Sequence, residues 1–582
     1  MNSIRKNIIQ KLAEYPLRYK GLFFITILIA LFSSWASSYR PKLVSDVIDI
    51  AIPNKNSELL LEGIYIIAGI ILLEIFLQFI FIILANTFAQ NIIQDIRDDL
   101  FKKLIYFKLK FFNNTPNGVL VTRVVSDIET ISTVFSDGLI MIFGDVLKIF
   151  FVIFMMYTIN WQIATIVLMI IPVMIILTRY FQKSIRKTFQ DERSLSAKLN
   201  SFVQERVSGI RIIQIFNREK EEFEKFKKIN TDLKEANIRT VFYFAIFFPI
   251  TEIISSLAIG LIIVYGGYAV INQTPINAGE IIAFILYIQM LFRPMRQIAD
   301  RFNNMQRGLV GAERVIKLMD THEIIPDYGT VKLDRIKGNI EFENVHFSYE
   351  EGEEVLKGIS FQVKAGETVA IVGTTGAGKS TIINLITRFF DIDSGKITID
   401  GIDIKDIPIQ TLREKIAVVL QDVFLFNDTI YQNITLGDTT ISKERVINAS
   451  KDIKLHPFIQ NLPNKYDYEV KERGATLSVG QRQLISFLRA LVYNPDILIL
   501  DEATSSIDNQ SEQLIQEAIK KITQNRTSII IAHHLVTIQN ADKIIALENG
   551  IIKETGTHRT LLQKPNGYYK KLYEAQFSTS DL

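Results

Sequence analysis

The chain contains no cysteine. Disulfide frameworks and thiolate metal sites are therefore excluded. Histidine is scarce, at six among 582 residues, so chemistry centred on a histidine-bound metal is not expected. Net charge is also nearly absent. The formal value of +3 says little alone, because it conceals a segmental pattern. No cleavable signal peptide is expected at the start. Met1–Lys20 is charged and mixed in sign, and the first apolar run is long and lacks an obvious small-residue cleavage site.

Apolar residues are abundant, at 48% of the chain with 39 phenylalanines, and they crowd the first half. A membrane span needs roughly 20 mostly apolar residues. Six candidates lie near Gly21–Tyr39, Leu60–Ala85, Leu139–Tyr157, Ile163–Leu177, Phe242–Ile271 and Ile281–Phe292. The fourth and sixth are short, and are expected to extend through Tyr180 and past Arg293. Basic residues mark one set of loops: Arg5 to Lys20, Arg97 to Arg123, and Arg179 through Arg239. The opposite loops, Thr158–Gln162 and Asn272–Glu280, contain no Lys or Arg. The positive-inside rule then puts both termini in the cytoplasm. The long basic loops keep a helical spacing of apolar residues, so the helices of spans two to five are expected to run on beyond the bilayer.

A few charges fall inside spans: Glu74, Asp145, Lys148 and Glu252. Asp145 and Lys148 are three apart on one helical face, where pairing with each other competes with a substrate role. Arg293 and Arg296 flank Pro294, and read first as interfacial anchors and second as contacts for an anionic headgroup.

We place the transmembrane domain at residues 1–325, a polar linker at 326–337 and a second domain at 338–578. In the latter, the apolar strand Thr368–Val372 runs into Gly373, Thr374, Thr375, Gly376, Ala377, Gly378, Lys379, Ser380 and Thr381, followed by a helical pattern over Ile382–Phe390. This is the phosphate loop G-x-x-x-x-G-K-[ST] in its strand–loop–helix setting. Its glycines let backbone N–H groups close around phosphates. Lys379 can reach the β- and γ-phosphates of ATP, and Ser380 can ligate Mg²⁺. A second buried strand, Ile497–Leu500, ends in Asp501 and Glu502. A carboxylate at a strand end beside a phosphate loop suits Mg²⁺, a role that falls to Asp501. Glu502 is then placed to polarise the attacking water.

Leu477-Ser-Val-Gly-Gln-Arg-Gln483 resembles the signature motif of ATP-binding cassettes, which separates them from other phosphate-loop ATPases. The resemblance implies that Ser478, Gly480 and Gln481 contact the γ-phosphate of ATP held by a partner cassette. Tyr349 resembles the aromatic that stacks on adenine, and Gln421 the glutamine that senses Mg²⁺ and water. Glu472–Gly474 is similar to a segment touching intracellular loops, and Ser505–Asp508 to a dimer-contacting loop that gives Asp508 a place at the nucleotide. His533 resembles the switch histidine on the γ-phosphate. In the membrane half, Phe111–Gly118 with Arg123 and Asp127 looks like a first coupling loop, and Glu205–Phe216 like the stretch around a second. The match thus covers nearly the whole chain and is that of an exporter-type ABC half-transporter.

The resemblance implies an all-α six-helix transmembrane domain fused to an α/β phosphate-loop ATPase cassette. The cassette would comprise a RecA-like core, a helical subdomain and an N-terminal antiparallel β subdomain. It also implies a dimer with a second half-transporter chain. Two departures stand out: Val479 occupies the first glycine position of the signature, and His534 replaces the arginine common after the switch histidine. A homodimer is the first expectation; Val479 keeps a heterodimer open. The cargo read from the family is a lipid or a hydrophobic or amphipathic small molecule, moved across a bacterial inner membrane. No nucleic-acid partner is expected. Uptake, a non-transporting ATPase and an ATP-gated channel stay as alternatives.

Overall fold

The computed structural model describes the chain apart from residues 1, 272–275, 332, 334, 351, 502–508, 532–537 and 578–582. For residues 2–9, 137, 182, 269–270, 295–300, 302–303, 306, 509–511 and 576–577 it describes the backbone alone. The chain divides into two compact units. One comprises residues 1–105 and 115–322, and the other residues 106–114 and 323–582.

The first unit is helical. A helix at Asn2–Arg18 (α1) precedes Lys20–Ile50 (α2) and Ser57–Leu104 (α3). The short helix Leu109–Asn114 (α4) belongs to the other unit. Then come Asn117–Ile159 (α5), Trp161–Ser208 (α6), Glu219–Ile271 (α7) and Ala278–Met319 (α8). Among the described residues, five helices are long and apolar enough to cross a membrane: α2, α3, α5, α6 and α7. In α8 the apolar stretch Ile281–Phe292 gives way to charge at Arg293, which leaves it short, as its sequence suggests. The helices do run on past their apolar stretches. The 48 residues of α3 reach about 72 Å, more than twice the ~30 Å hydrocarbon core of a bilayer.

Local chemistry sets the helix starts. Asn56 caps α3 by accepting from the N–H groups of Glu58 and Leu59, and Asn160 caps α6 from Gln162 and Ile163. The bundle core joins Val152 and Met156 of α5 to Ala258 and Ile262 of α7 and to Phe284 and Ile288 of α8. Tyr287 is fully buried there and donates to the carbonyl of Ser38 at 2.9 Å. Two π-helical stretches, Arg123–Asp127 and Val134–Ile140, interrupt α5. Between them α8 approaches so closely that a Cβ on Gly308 would lie 2.6 Å from the carbonyl of Thr130. One expectation is corrected here. Asp145 pairs with Arg301 of α8 at 2.6 Å rather than with Lys148, since the interhelical partner reaches it directly.

The second unit contains two sheets. Strands Ile340–Ser348 (β1), Glu354–Val363 (β2), Ser394–Ile399 (β4) and Ile402–Asp403 (β5) form an antiparallel sheet in the order β2-β1-β4-β5. The larger sheet combines Thr368–Val372 (β3), Ile416–Val419 (β6), Ile497–Asp501 (β7), Thr527–Ile531 (β8), Lys543–Glu548 (β9) and Ile551–Gly556 (β10). Its order is β10-β9-β3-β8-β7-β6, parallel except for β10. Alternation along each strand sends side chains to opposite faces. Val369, Ile371, Ile497 and Ile499 join a core with the antiparallel sheet and the helix Lys379–Ile386 (α9). Ala370, Val372, Leu498 and Leu500 join the other core. It takes in the helices Ile430–Thr435 (α10), Lys443–Asp452 (α11), Val479–Tyr493 (α12) and Asn509–Thr523 (α13). Burial on both faces explains why these strands read as unbroken apolar runs.

The segment read as a linker is fastened down. The fully buried Arg388 donates to the carbonyls of Pro326, Ile404 and Ile407 at 3.0 to 3.3 Å, and lies 3.8 Å from Asp327. Asp327 in turn accepts from the N–H of Ile409.

Candidate functional site

The phosphate loop lies where β3 hands over to α9. Gly373 has no room for a side chain: a Cβ there would lie 2.1 Å from the carbonyl oxygen of Leu547 on β9. Gly376 and Gly378 take φ of +83° and +103°, a region other residues avoid. Gly378 is the N-cap of α9 and supplies no side-chain cap. An uncapped helix start with its N–H groups pointing outward favours an anion. Lys379 is buried, and its ammonium donates to the carbonyls of Gly373 at 2.7 Å and Thr374 at 3.1 Å, so the chain folds back around it. Thr374, Thr375 and Gly376 are exposed at the crown of the loop; Ala377 is buried beneath it.

Strand register brings the other groups to the same sheet edge. Ile371 of β3 pairs with Ile531 of β8, which pairs with Asp501 of β7. Asp501 therefore stands level with the strand that feeds the phosphate loop. On β6, Val419 pairs with Leu500, which sets Gln421 just past that edge, where it is exposed. Ser380 is exposed and Thr381 buried at the start of α9. The hard oxygen donors of Ser380 and Asp501, beside an anion cradle, fit Mg²⁺ completed by phosphate and water oxygens. Tyr349 is joined to the same helix. Its hydroxyl donates to Thr381 Oγ1 at 3.2 Å and accepts from the Asn384 amide at 3.0 Å, while its ring meets Phe347 and Phe390 edge-on.

The signature residues sit elsewhere, at the N-terminus of α12. Ser478 accepts from the N–H of Gln481 at 3.2 Å, and the Gln481 side chain accepts from the N–H of Ser478 at 2.9 Å, a closed capping box. Gly480 is buried and Val479 is half exposed. Farther along, Arg489 Nε donates to the carbonyl of Asn433 at 2.9 Å and Tyr493 to that of Thr435 at 2.6 Å, which ties α12 to α10. Burial pushes the Arg489 guanidinium below its usual range and the Tyr493 hydroxyl above it. Glu502, Asp508 and His533 lie outside the described residues, as do His534 and Ser505.

Three residues of this neighbourhood escape a sequence reading. Asn384 orients Tyr349, and Arg388 holds the linker; no motif marks either. Lys110, notable in the sequence only as a loop charge, donates to the carbonyl of Tyr349 at 3.0 Å. Its segment packs with this unit through a pairing of Phe107 with Ile324 and a hydrogen bond from Lys108 N–H to the carbonyl of Glu323.

A phosphate-loop fold, in the same chain as five helices of membrane length among the described residues, defines a membrane protein that carries an ATP-binding cassette. Comparison with known proteins agrees. Residues 23–295 match the family model described as the ABC transporter transmembrane region, and residues 356–505 the one described as ABC transporter. The uncharacterized ABC transporter ATP-binding protein YknV of Bacillus subtilis (strain 168) is 38% identical, over 92% of this chain and 88% of its own. The ATP-dependent lipid A-core flippase of Syntrophus aciditrophicus (strain SB) is 35% identical over 98% and 95%. A bacterial Atm1-family ABC exporter solved with ATP bound shares the fold with a TM-score of 0.76 at 27% identity, covering 96% of this chain and 98% of that one. The chain belongs to the ABC transporters of exporter type, with membrane region and ATP-binding cassette fused.

Proposed function

We propose that this chain is half of a dimeric pump. It uses ATP hydrolysis to export, or flip between leaflets, a lipid or an amphipathic small molecule by alternating access. The observation that carries this reading is the packing of Tyr106–Asn114, a loop between two membrane-length helices, within the cassette unit and onto Tyr349 beside the phosphate loop. Through that loop, nucleotide-driven movement of the cassette can reach the spans.

In this reading Lys379 and the start of α9 hold the phosphates, Tyr349 receives the adenine, and Ser380, Asp501 and Gln421 hold Mg²⁺. The ion, when bound, neutralises charge developing between the β- and γ-phosphates. Glu502 takes the proton of the attacking water, and His533 contacts the γ-phosphate. Ser478, Gly480, Gln481 and Asp508 act on the nucleotide of the partner chain, so one chain supplies half of each site. Moving the conformational ratio from 1:99 to 99:1 requires ATP to favour the closed state by about 5.5 kcal/mol. The basic loops place both termini in the cytoplasm, and the bacterial inner membrane is taken from the family resemblance. A homodimer is the simplest assembly.

The test is Mg²⁺-dependent ATPase activity of the chain purified alone in lipid, beside Glu502→Gln. Activity in the parent that is lost in the variant, with ATP still bound, is the expected result. Equal rates would remove Glu502 from its role. A folded, ATP-binding but inactive parent would point to a missing partner chain or to a substrate that activity requires.

A further inference from the structure

The helix whose start faces the phosphates has a second end. The chain leaves α9 through its cap, Thr387, and then Arg388, which takes φ of +53°. Glycine is the usual residue just past a helix cap, because a side chain is strained in the left-handed region. What an arginine gains in that place is reach. Its guanidinium is 2% exposed and donates to the carbonyls of Ile404 and Ile407 within the cassette and to that of Pro326 in the linker. Two carboxylates face the same cation, Asp391 at 3.6 Å and Asp327 at 3.8 Å. Arg413 holds the turn from its other side, donating to the carbonyls of Thr387 at 3.1 Å and Arg388 at 2.9 Å.

The linker is tied down along its length. Directly after α8, Asp320 and Thr321 still donate to the carbonyls of Ile316 and Leu318. Glu323 accepts from the N–H of Lys108, and Ile324 pairs with Phe107. Asp327 accepts from the N–H of Ile409, and Thr330 and Val331 both donate to the carbonyl of Asp406, at 3.0 and 3.1 Å. Gly329 lies so close to the next strand of chain that a Cβ there would be 2.2 Å from the carbonyl carbon of Ile407. A loose stretch from Asp320 to Val331 could extend for about 40 Å, at roughly 3.3–3.6 Å per residue, and would absorb a displacement of the cassette. A seated one passes the displacement on. Arg388 is what makes unseating costly, since withdrawing Pro326 and Asp327 would leave a buried guanidinium short of partners.

We infer that Arg388 is a positioning residue of the transport cycle. It holds the linker as a taut strap between the helix that receives the phosphates and α8, so that movement of the cassette on binding ATP reaches α8 without slack. The inference rests on the transport reading above, and adds a second route to the one through Tyr106–Asn114.

The experiment uses the full chain in lipid nanodiscs, with Arg388→Met and, as a variant that leaves α9 intact, Gly329→Ala. The chain has no cysteine, so Asn54→Cys and Thr158→Cys place nitroxides at two exposed positions of the membrane unit alone. In both variants amide exchange over Pro326–Val331 quickens by about tenfold, the scale of one hydrogen bond, while exchange over Thr368–Ile386 and the KM for ATP stay within about twofold of the parent. The shift in nitroxide distances on adding Mg²⁺-ATP and vanadate shrinks to roughly half the parent's or less. A parent-like shift in both variants despite a loosened strap overturns the inference, and so does parent-like exchange over the strap in both. Faster exchange over α9 with a raised KM in Arg388→Met, beside an undiminished shift in Gly329→Ala, assigns Arg388 to folding alone and overturns it too. A parent that shows no shift removes the transport reading and this inference with it; the other failures leave that reading standing.

Discussion

Two helices of the cassette begin in opposite ways. At α9 the cap is a left-handed glycine, Gly378, which offers no side-chain acceptor. At α12 the cap is Ser478, locked with Gln481 in a box that satisfies its own donors. A helix start leaves four N–H groups without intrahelical partners. At α9 they are left for a ligand; at α12 the chain answers part of the need itself. The first helix start can thus receive an anion. The second closes its own start, and the nucleotide contact proposed for Ser478 and Gly480 would be made by a helix already capped. Helix N-termini that look alike in a motif table therefore differ in what each asks of its surroundings.

Substitutions can break this contrast. Lys379→Ala removes the buried ammonium that the phosphate loop wraps, and Mg²⁺-ATPase activity measured in lipid should fall by about 10²- to 10³-fold, the cost of one preorganised electrostatic donor. Gly373→Ala pushes a methyl onto the Leu547 carbonyl. Overpacking of this kind costs about 1–3 kcal/mol, and the thermal midpoint of the cassette should drop even without nucleotide. Ser478→Ala opens the capping box and should destabilise the cassette by about 1 kcal/mol, read by denaturant unfolding. If ATP restored that loss within one chain, α12 would be as ligand-dependent as α9 and the contrast would fail.

The smallest effect concerns Asp400, outside both helices. Its burial alone would raise the carboxyl, but the N–H groups of Asn339, Gly338 and Lys337 and the Asn339 amide outweigh this and hold it below the ordinary 3.8. Its stabilisation is therefore present above that value and is lost as pH falls through the lower folded-state value. The gap in thermal midpoint between the parent and Asp400→Asn should be open at pH 7 and should narrow as the pH falls below 3.8.

Where spacing alone encodes geometry, the sequence was enough. The phosphate loop was legible because only glycines tolerate its backbone, and the parallel strands were legible because both their faces are buried. The membrane helices announced themselves by apolar length, with α8 marginal in the sequence and in the fold. What escaped depends on long-range partners. Asp145 has Lys148 at helical spacing, yet its partner is Arg301, 156 residues away. Arg388 looks like an ordinary helix-end arginine until Pro326 and Asp327 are seen against it. Glu502 is read from its place at the end of the strand Ile497–Leu500, and Asp508 and His533 from resemblance; all three lie outside the described residues.

The seat of Lys110 on the Tyr349 carbonyl joins residues 239 positions apart. At the pace of protein synthesis, about 5–20 residues per second, Tyr349 follows Lys110 by roughly 12 to 48 seconds. Through most of that interval Phe107 and Phe111 have only each other to pack on, since Glu323 and Ile324 also come late. The ribosome thus delivers this short aromatic segment before the residues it packs on, so its early exposure belongs to biogenesis.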